Sequence, residues 1–128
     1  SKVDQVIVSK YGIFVIEKKN YKGMIFGNET GTEWIQLLYM KKLKISNPIT
    51  ENKSQIKSLI KLLDINKTKF ISIITFTLNG KIKKVVTKTP VVYSIGLVKR
   101  IKTYEDILLS AEEVTAVNEK LLSVGKTK

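Results

Sequence analysis

The amino-acid sequence predicts an α/β fold in which helices flank a mixed central β-sheet. Short apolar runs typical of strands occur before and after one long segment of helical periodicity, an order that favours a sheet covered by helices. The run 70–76 is apolar on both faces, which predicts a buried central strand. With 128 residues, 43% of them hydrophobic, the sequence predicts one folded domain over residues 1–128.

The first predicted element is a β-hairpin. Apolar runs at residues 3–8 and 13–19 flank the segment 9–12, which ends in a glycine and predicts a tight turn. If these four residues close the hairpin, Asp4 stands opposite Glu17. Because side chains alternate between the faces of a strand, the two carboxylates then lie on the same face.

A strand-rich segment and a helix come next. Short strands are predicted at 24–26 and 33–39. Asn47 as the N-cap and Pro48 as the first helical residue predict a helix start. Apolar residues then recur at helical spacing as far as residue 63, so we expect a helix of about four turns.

The second half of the chain alternates strands and helices. The buried strand 70–76 is followed by Asn79-Gly80, a dipeptide that favours two-residue hairpin turns, and this predicts a return strand at 81–86. Three shorter elements complete the prediction: a strand at 91–93, a helix at 94–101 and a last helix that starts at the capping box 110–113.

Charged side chains at the open end of the first hairpin indicate chemistry. Two carboxylates directly opposite each other destabilise a sheet unless a cation lies between them, and a hard divalent ion suits oxygen ligands. Lys19 lies two residues beyond Glu17 on the same face, where its charge could stabilise a transition state. This pattern favours metal-assisted phosphodiester hydrolysis. The alternative interpretation is a frayed strand end with ordinary solvated charges.

Composition narrows the classes of site and partner. The sequence has no cysteine and no histidine, which excludes disulfides, thiolate sites, His-based triads and the usual zinc sites. Lys+Arg number 23 against 11 Asp+Glu, and this charge of +12 favours a polyanion such as nucleic acid. Arg100 is the single arginine, so we expect binding through the phosphate backbone with weak sequence preference. Bias from an AT-rich genome explains part of the lysine content.

The sequence shows no targeting or membrane signal. It has no run of 18 or more apolar residues and no visible signal peptide, so we expect no membrane contact and a cytoplasmic location. The chain opens on Ser1 without an initiator Met, which predicts processing or origin from a longer protein.

Two segments of the chain resemble a known family. The run 3–8, VDQVIV, followed by 11–23, YGIFVIEKKNYKG, is similar to the core signature of the nuclease-related domain, within the PD-(D/E)XK superfamily. The Trp34-Ile35-Gln36 run, and Asn47-Pro48 with Asn52, resemble its downstream motifs. The resemblance implies a restriction-endonuclease-like fold and a Mg²⁺- or Mn²⁺-dependent deoxyribonuclease.

The same resemblance implies roles for individual residues. Asp4 and Glu17 would be metal ligands, with the Lys18 carbonyl as a third, and Lys19 would position the attacking water or stabilise the pentavalent phosphate. Basic and amide side chains elsewhere are expected to contact nucleic acid: Lys10, Lys22, Gln36, Lys41, Lys42, Lys44, Asn47 and Asn52. Helix capping alone already explains Asn47.

The sequence departs from the family pattern in two places. The family usually has a helix and a strand before the strand that carries Asp4, so this chain is expected to lack both. Those elements are removed, supplied by another chain as in a dimer, or never present. The family also shows Gln where this chain has Glu51, an extra acid that would repel phosphate unless it binds metal. The alternatives to a nuclease are a non-catalytic nucleic-acid-binding module and an interaction domain with a plain salt-bridge cluster.

Overall fold

The computed structural model describes residues 4–125, so Val3 at the start of the predicted hairpin lies outside the described residues. The fold class is confirmed, because mixed sheets of parallel and antiparallel strands are flanked by helices. The strands are β1 Gln5–Ser9, β2 Gly12–Lys19, β3 Gly23–Asn28, β4 Glu33–Leu38, β5 Lys41–Ser46, β6 Phe70–Phe76, β7 Gly80–Val86 and β8 Val91–Tyr93. The helices are α1 Pro48–Leu63, α2 Leu97–Ile101 and α3 Ala111–Ser123, with 3₁₀ turns at Lys67–Lys69 and Ser94–Gly96.

The strands divide between two four-stranded sheets. The first sheet has the order β1-β2-β6-β8 and the second has the order β5-β4-β3-β7. In the first sheet, β1 and β2 form the predicted antiparallel hairpin, with Val8 paired with Ile13 and Val6 with Val15. β2 then pairs with β6 in parallel, and β6 pairs with β8 in parallel.

The predicted hairpin at Asn79-Gly80 is wrong. β6 and β7 do not pair with each other; β7 lies in the second sheet, where it runs parallel to β3. Gly80 is needed for close approach instead of for a turn, since a Cβ there would lie 2.3 Å from the carbonyl oxygen of Tyr21. The sequence prediction also missed β5. Lysines occupy half of its positions, so the strand shows no clear alternation of apolar and polar residues.

The chain crosses from the first sheet to the second at two neighbouring places. After β2 the chain crosses into β3, and after β6 it crosses into β7, so the parallel pair β2·β6 is followed by the parallel pair β3·β7. The Thr77 amide donates to the Lys19 carbonyl at 3.1 Å. The Asn20 side-chain oxygen accepts from Thr77 Oγ1 at 2.6 Å and from Asn79 Nδ2 at 2.8 Å. These bonds hold the two crossings together at the end of β2.

Helix α1 begins and packs as its sequence predicts. The Asn47 side chain accepts a hydrogen bond from the Ile49 amide at 2.8 Å, and Pro48 occupies the first turn. Helices α1 and α3 cover one face of the first sheet, burying a cluster that includes Val15, Leu59 and Leu121. The opposite face is covered around Phe14, whose ring meets Tyr104 edge-on. β2 is therefore buried on both faces along most of its length.

Trp34 packs the second sheet against the first. Its ring is fully buried and lies parallel to Phe76 at a centroid distance of 6.2 Å. On the neighbouring strand, Gly27 leaves room for this ring, because a Cβ there would lie 2.1 Å from Trp34 Cδ2. The indole Nε1 donates to the Asn28 carbonyl at 2.9 Å. Within residues 4–125, no helix is long and apolar enough to cross a membrane.

The packing around Trp34 predicts the effect of a methyl group at position 27. Gly27→Ala should lower the free energy of unfolding by about 1–3 kcal/mol, because the added Cβ overpacks the indole ring. Gly96→Ala is the matched control, since a Cβ at Gly96 meets nothing within 4 Å. Urea denaturation followed by circular dichroism measures both variants. Equal stability of the two would contradict this account of Gly27.

Candidate active site

The open end of the β1–β2 hairpin brings Asp4 beside the end of β2. Asp4 lies just before β1, and its Oδ2 accepts a hydrogen bond from the Lys18 amide at 2.8 Å. Gln5 pairs with Ile16, so the register continues to Asp4 opposite Glu17. The hairpin therefore carries the two carboxylates as its turn length predicts.

Glu17 is the buried carboxylate of the site. It is 7% exposed, on the face of β2 that also carries Val15 and meets α1. Burial raises the pKa of the Glu17 carboxyl to about 7; nearby Lys19 opposes the rise, whereas Asp4 and Glu51 add to it. A carboxyl with this pKa is partly protonated near neutral pH.

Lys19 lies between two acids. Its Nζ is 3.7 Å from Glu17 Oε2 and 2.9 Å from Glu51 Oε1. Burial acts to lower the pKa of Lys19, but the contact with Glu51 outweighs it and the pKa is raised above its ordinary value. Lys19 is therefore a fixed positive charge at the edge of the carboxylate site.

Glu51 belongs to the candidate site, and the sequence does not predict its position there. It lies in the first turn of α1, and its carboxylate forms an ion pair with Lys19. The expected repulsion of phosphate is thus offset by an ion pair. The only sequence signal for this contact is the helix start at Asn47, which places the first turn beside the end of β2 once α1 packs on the sheet.

The buried face of α1 also fixes the strand that carries Glu17. Asn52 donates to the Val15 carbonyl at 3.0 Å and accepts from Ser72 Oγ at 2.7 Å, so it joins α1 to both β2 and β6. Gln55, on the same helix face, is 7% exposed, and its Oε1 is a buried acceptor with no hydrogen-bond partner within residues 4–125. Close to Glu17, the helix thus adds polar groups to an otherwise apolar interface.

The amide side chains expected to contact nucleic acid are buried. Asn47 and Asn52 are 0% exposed, and Asn47 donates to the Gly31 carbonyl at 2.6 Å while it caps α1. Gln36 is 8% exposed and donates to the Lys22 carbonyl at 2.8 Å. Their hydrogen bonds hold loops and strands together, so these three buried side chains do not face a phosphate.

The lysines expected to bind nucleic acid fall into two places. Lys22 follows β2, the strand that carries Glu17, and three others project from the edge strand β5: Lys41, Lys42 and Lys44. All four are exposed. Lys10 is also exposed but lies in the β1–β2 turn, at the opposite end of the hairpin from Glu17, where it contacts the Tyr11 ring.

The donor atoms at this site fit a hard divalent cation. Asp4 and Glu17 supply carboxylate oxygens, and the Lys18 carbonyl belongs to the residue directly after Glu17. Within residues 4–125, no three acidic side chains converge closely enough to hold a metal ion by themselves. Two protein carboxylates suit Mg²⁺ or Mn²⁺ best, because Mg²⁺ keeps several waters and takes substrate phosphate as a further ligand.

Comparison with known proteins gives the family. The family model described as the nuclease-related domain matches residues 1–77, which include both predicted ligands, Lys19 and the start of α1. The chain is 30% identical over 125 residues to an uncharacterised protein of Bacillus anthracis, covering 95% of this chain and 58% of that protein. The chain thus spans little more than half the length of that relative. No solved structure matches the chain. With a family match over more than half of its residues, the chain belongs to the nuclease-related domain family.

Proposed function

We propose that this protein is a divalent-metal-dependent nuclease that hydrolyses DNA phosphodiester bonds. The observation that carries the proposal is the buried Glu17 carboxyl, opposite Asp4 and 3.7 Å from the Lys19 ammonium. The family match supports a nuclease-related function in general. The net charge of +12 supports a polyanionic substrate.

Each residue of the site has a separate task in the proposed reaction. Asp4, Glu17 and the Lys18 carbonyl would hold a Mg²⁺ or Mn²⁺ ion, which when bound would supply Lewis acidity toward a phosphate oxygen. Glu17 would act as a ligand in its ionised form. Lys19 places a positive charge where negative charge develops on the phosphate, and Glu51 holds the lysine side chain in that place. Water attacks phosphorus and loses a proton to solvent, the bond from phosphorus to the leaving oxygen breaks, and the leaving oxygen takes up a proton from solvent.

A second candidate is a module that binds nucleic acid without cutting it. The observation that favours it is the 2.9 Å pair between Lys19 and Glu51, which satisfies the lysine inside the protein. Such a module keeps the lysine-rich surface but has no metal-dependent turnover. The two candidates differ in whether the wild-type protein cleaves DNA when a divalent metal is present.

Substitution at Glu17 and Lys19 separates metal binding from catalysis. Glu17→Gln should abolish both Mg²⁺ binding and cleavage, because a neutral amide replaces the ligand. Lys19→Met should reduce cleavage by at least about 100-fold while Mg²⁺ binds as well or better, since a cation that repels the metal is gone. Calorimetric titration and plasmid cleavage with Mg²⁺ or Mn²⁺ measure the two effects.

Glu119→Gln is the control for the loss of an acid, because Glu119 is exposed on α3. It should bind Mg²⁺ and cleave as the wild type does. Wild-type cleavage that persists in excess EDTA would refute the metal-dependent reaction. Wild-type DNA binding without cleavage in any divalent metal would favour the non-catalytic module.

The raised pKa of Glu17 predicts opposite pH trends for metal affinity and stability. Mg²⁺ affinity should rise about tenfold per pH unit below pH 7 and level off above it, because the ion displaces the Glu17 proton. In that range the folded chain binds more protons than the unfolded chain, whose Glu17 titrates near 4.5. The free energy of unfolding should therefore fall as pH rises from about 4.5 to 7.

The pH dependence of stability also checks that Glu17 is the group that titrates. In metal-free buffer, the Glu17→Gln variant should lose this fall in stability, because no carboxyl remains to ionise at that position. Urea denaturation at several pH values measures it. An identical pH profile in the wild type and the variant would show that the carboxyl of Glu17 does not titrate near neutrality.

A further inference from the structure

The turn between β4 and β5 has an unusual sequence for its backbone. Leu38 pairs with Lys41, so Tyr39 and Met40 alone form a two-residue hairpin turn. Both residues have positive φ, 50° and 66°. This turn type strongly favours Asn-Gly, because bulky side chains are strained in the left-handed region. The chain instead places an aromatic residue and a methionine there.

The two side chains at this turn extend into solvent. Tyr39 is 82% exposed and Met40 is 95% exposed. Neither contributes to the buried clusters that hold the two sheets. The fold therefore gains nothing visible from Tyr39 and Met40, although their backbone conformation is unfavourable for them. A contact made outside this chain would account for both observations.

The charges beside the turn select a polyanionic partner. β5 continues from it with exposed Lys41, Lys42 and Lys44. Lysines alone are a common way to protect an edge strand from pairing, so they would not require a ligand. Lysines next to two exposed apolar side chains match a partner with phosphates outside and flat apolar surfaces inside, which are the properties of DNA.

The turn lies at the same end of the second sheet as the candidate active site. Gly23 lies against Leu38, since a Cβ on Gly23 would be 3.4 Å from the Leu38 Cα. Lys19 is four residues before Gly23, a span of at most about 14 Å. Tyr39 thus lies within about 25 Å of Lys19, less than one turn of B-DNA, which spans about 34–36 Å.

A third exposed apolar side chain lies at this end of the structure. Leu78 is 62% exposed in the crossing from β6 to β7, which is bonded to Asn20 directly after β2. Gly80, at the end of that crossing, pairs with Gly23. The apolar residues at this edge therefore accompany the crossings on which the candidate site depends.

We propose that the β4–β5 hairpin is a DNA-binding arm, with its lysines on the phosphates and the Tyr39–Met40 turn inserted against the bases. This inference rests on the proposed function, because it takes the substrate of the same site as the partner. The arm places the bases within one helical turn of the carboxylates. The lysines supply affinity that depends on salt, and the turn supplies affinity that does not.

The double variant Tyr39→Asn/Met40→Gly tests the arm without weakening the fold. It installs the dipeptide that this turn favours, so it should melt at or above the wild-type temperature. Its affinity for a fluorescein-labelled 20-base-pair duplex, measured by anisotropy with Ca²⁺ in place of Mg²⁺, should fall about five- to hundredfold. Its salt dependence should match the wild type, because no phosphate contact is lost.

Three further variants complete the comparison. Lys41→Gln/Lys42→Gln/Lys44→Gln should reduce the slope of log affinity against log salt by about 2–3. Leu122→Ala is the control for an exposed apolar side chain, because Leu122 is 68% exposed on α3, and it should bind DNA as the wild type does. Tyr39→Trp should retain binding, since an indole also stacks on bases.

A fluorescent base reports insertion directly. In a duplex that carries 2-aminopurine, the wild type should raise the fluorescence at one or more positions by unstacking the base, and the Asn-Gly variant should not. Equal duplex affinity of the two proteins would overturn the proposal. So would an effect of the variant limited to binding of phosphatidylserine vesicles or to self-association of the chain.

The outcomes separate this inference from the nuclease proposal. Cleavage with unchanged kcat and KM in the Asn-Gly variant would refute the arm and leave the nuclease intact. A wild type that binds DNA through the turn but never cuts it would refute the nuclease and leave the arm intact.

Discussion

The structure depends on the two chain segments that follow β2 and β6, which cross side by side from the first sheet to the second. The Thr77 amide bonds to the Lys19 carbonyl, and Asn20 accepts two further hydrogen bonds from the second crossing. These bonds fix the end of β2. Glu17 is the last buried residue of that strand, and Lys19 is its last residue before the chain crosses to β3. The parallel pair β3·β7 begins from the same point. The candidate site and the second sheet are therefore built from one junction.

Burial at this junction explains why an unfavourable group is tolerated there. An isolated carboxylate at the sheet–helix interface is expensive, and the raised pKa of Glu17 reflects that cost. The surrounding groups reduce this free-energy cost without removing it. Lys19 Nζ approaches one oxygen of Glu17, and an ion pair with Glu51 fixes the position of Lys19. Asn52 fixes the distance between α1 and β2 through the Val15 carbonyl. The carboxylates of the site are thus not fully compensated by positive charge, and the proposed divalent ion would supply the remainder.

Local signals in the sequence predict those parts of the structure that depend on neighbours along the chain. The turn length fixes the β1–β2 register and so the opposition of Asp4 and Glu17, and Asn47-Pro48 fixes the start of α1. The assignment of strands to two sheets depends on long-range pairing instead. Asn79-Gly80 has the composition of a hairpin, yet the glycine is needed because Tyr21 passes close to it. Likewise the contact of Glu51 with Lys19 arises only when α1 packs across β2.

The strained turn at Tyr39–Met40 also has a consequence for how this sequence evolves. Selection for stability alone would favour Asn and Gly at such a turn, because those residues relieve its backbone strain. Under the proposed DNA contact, a bulky pair at these two positions is retained against that stability gradient. In relatives, the identity of these two residues would then indicate whether the surface is used, independent of whether the carboxylates are intact.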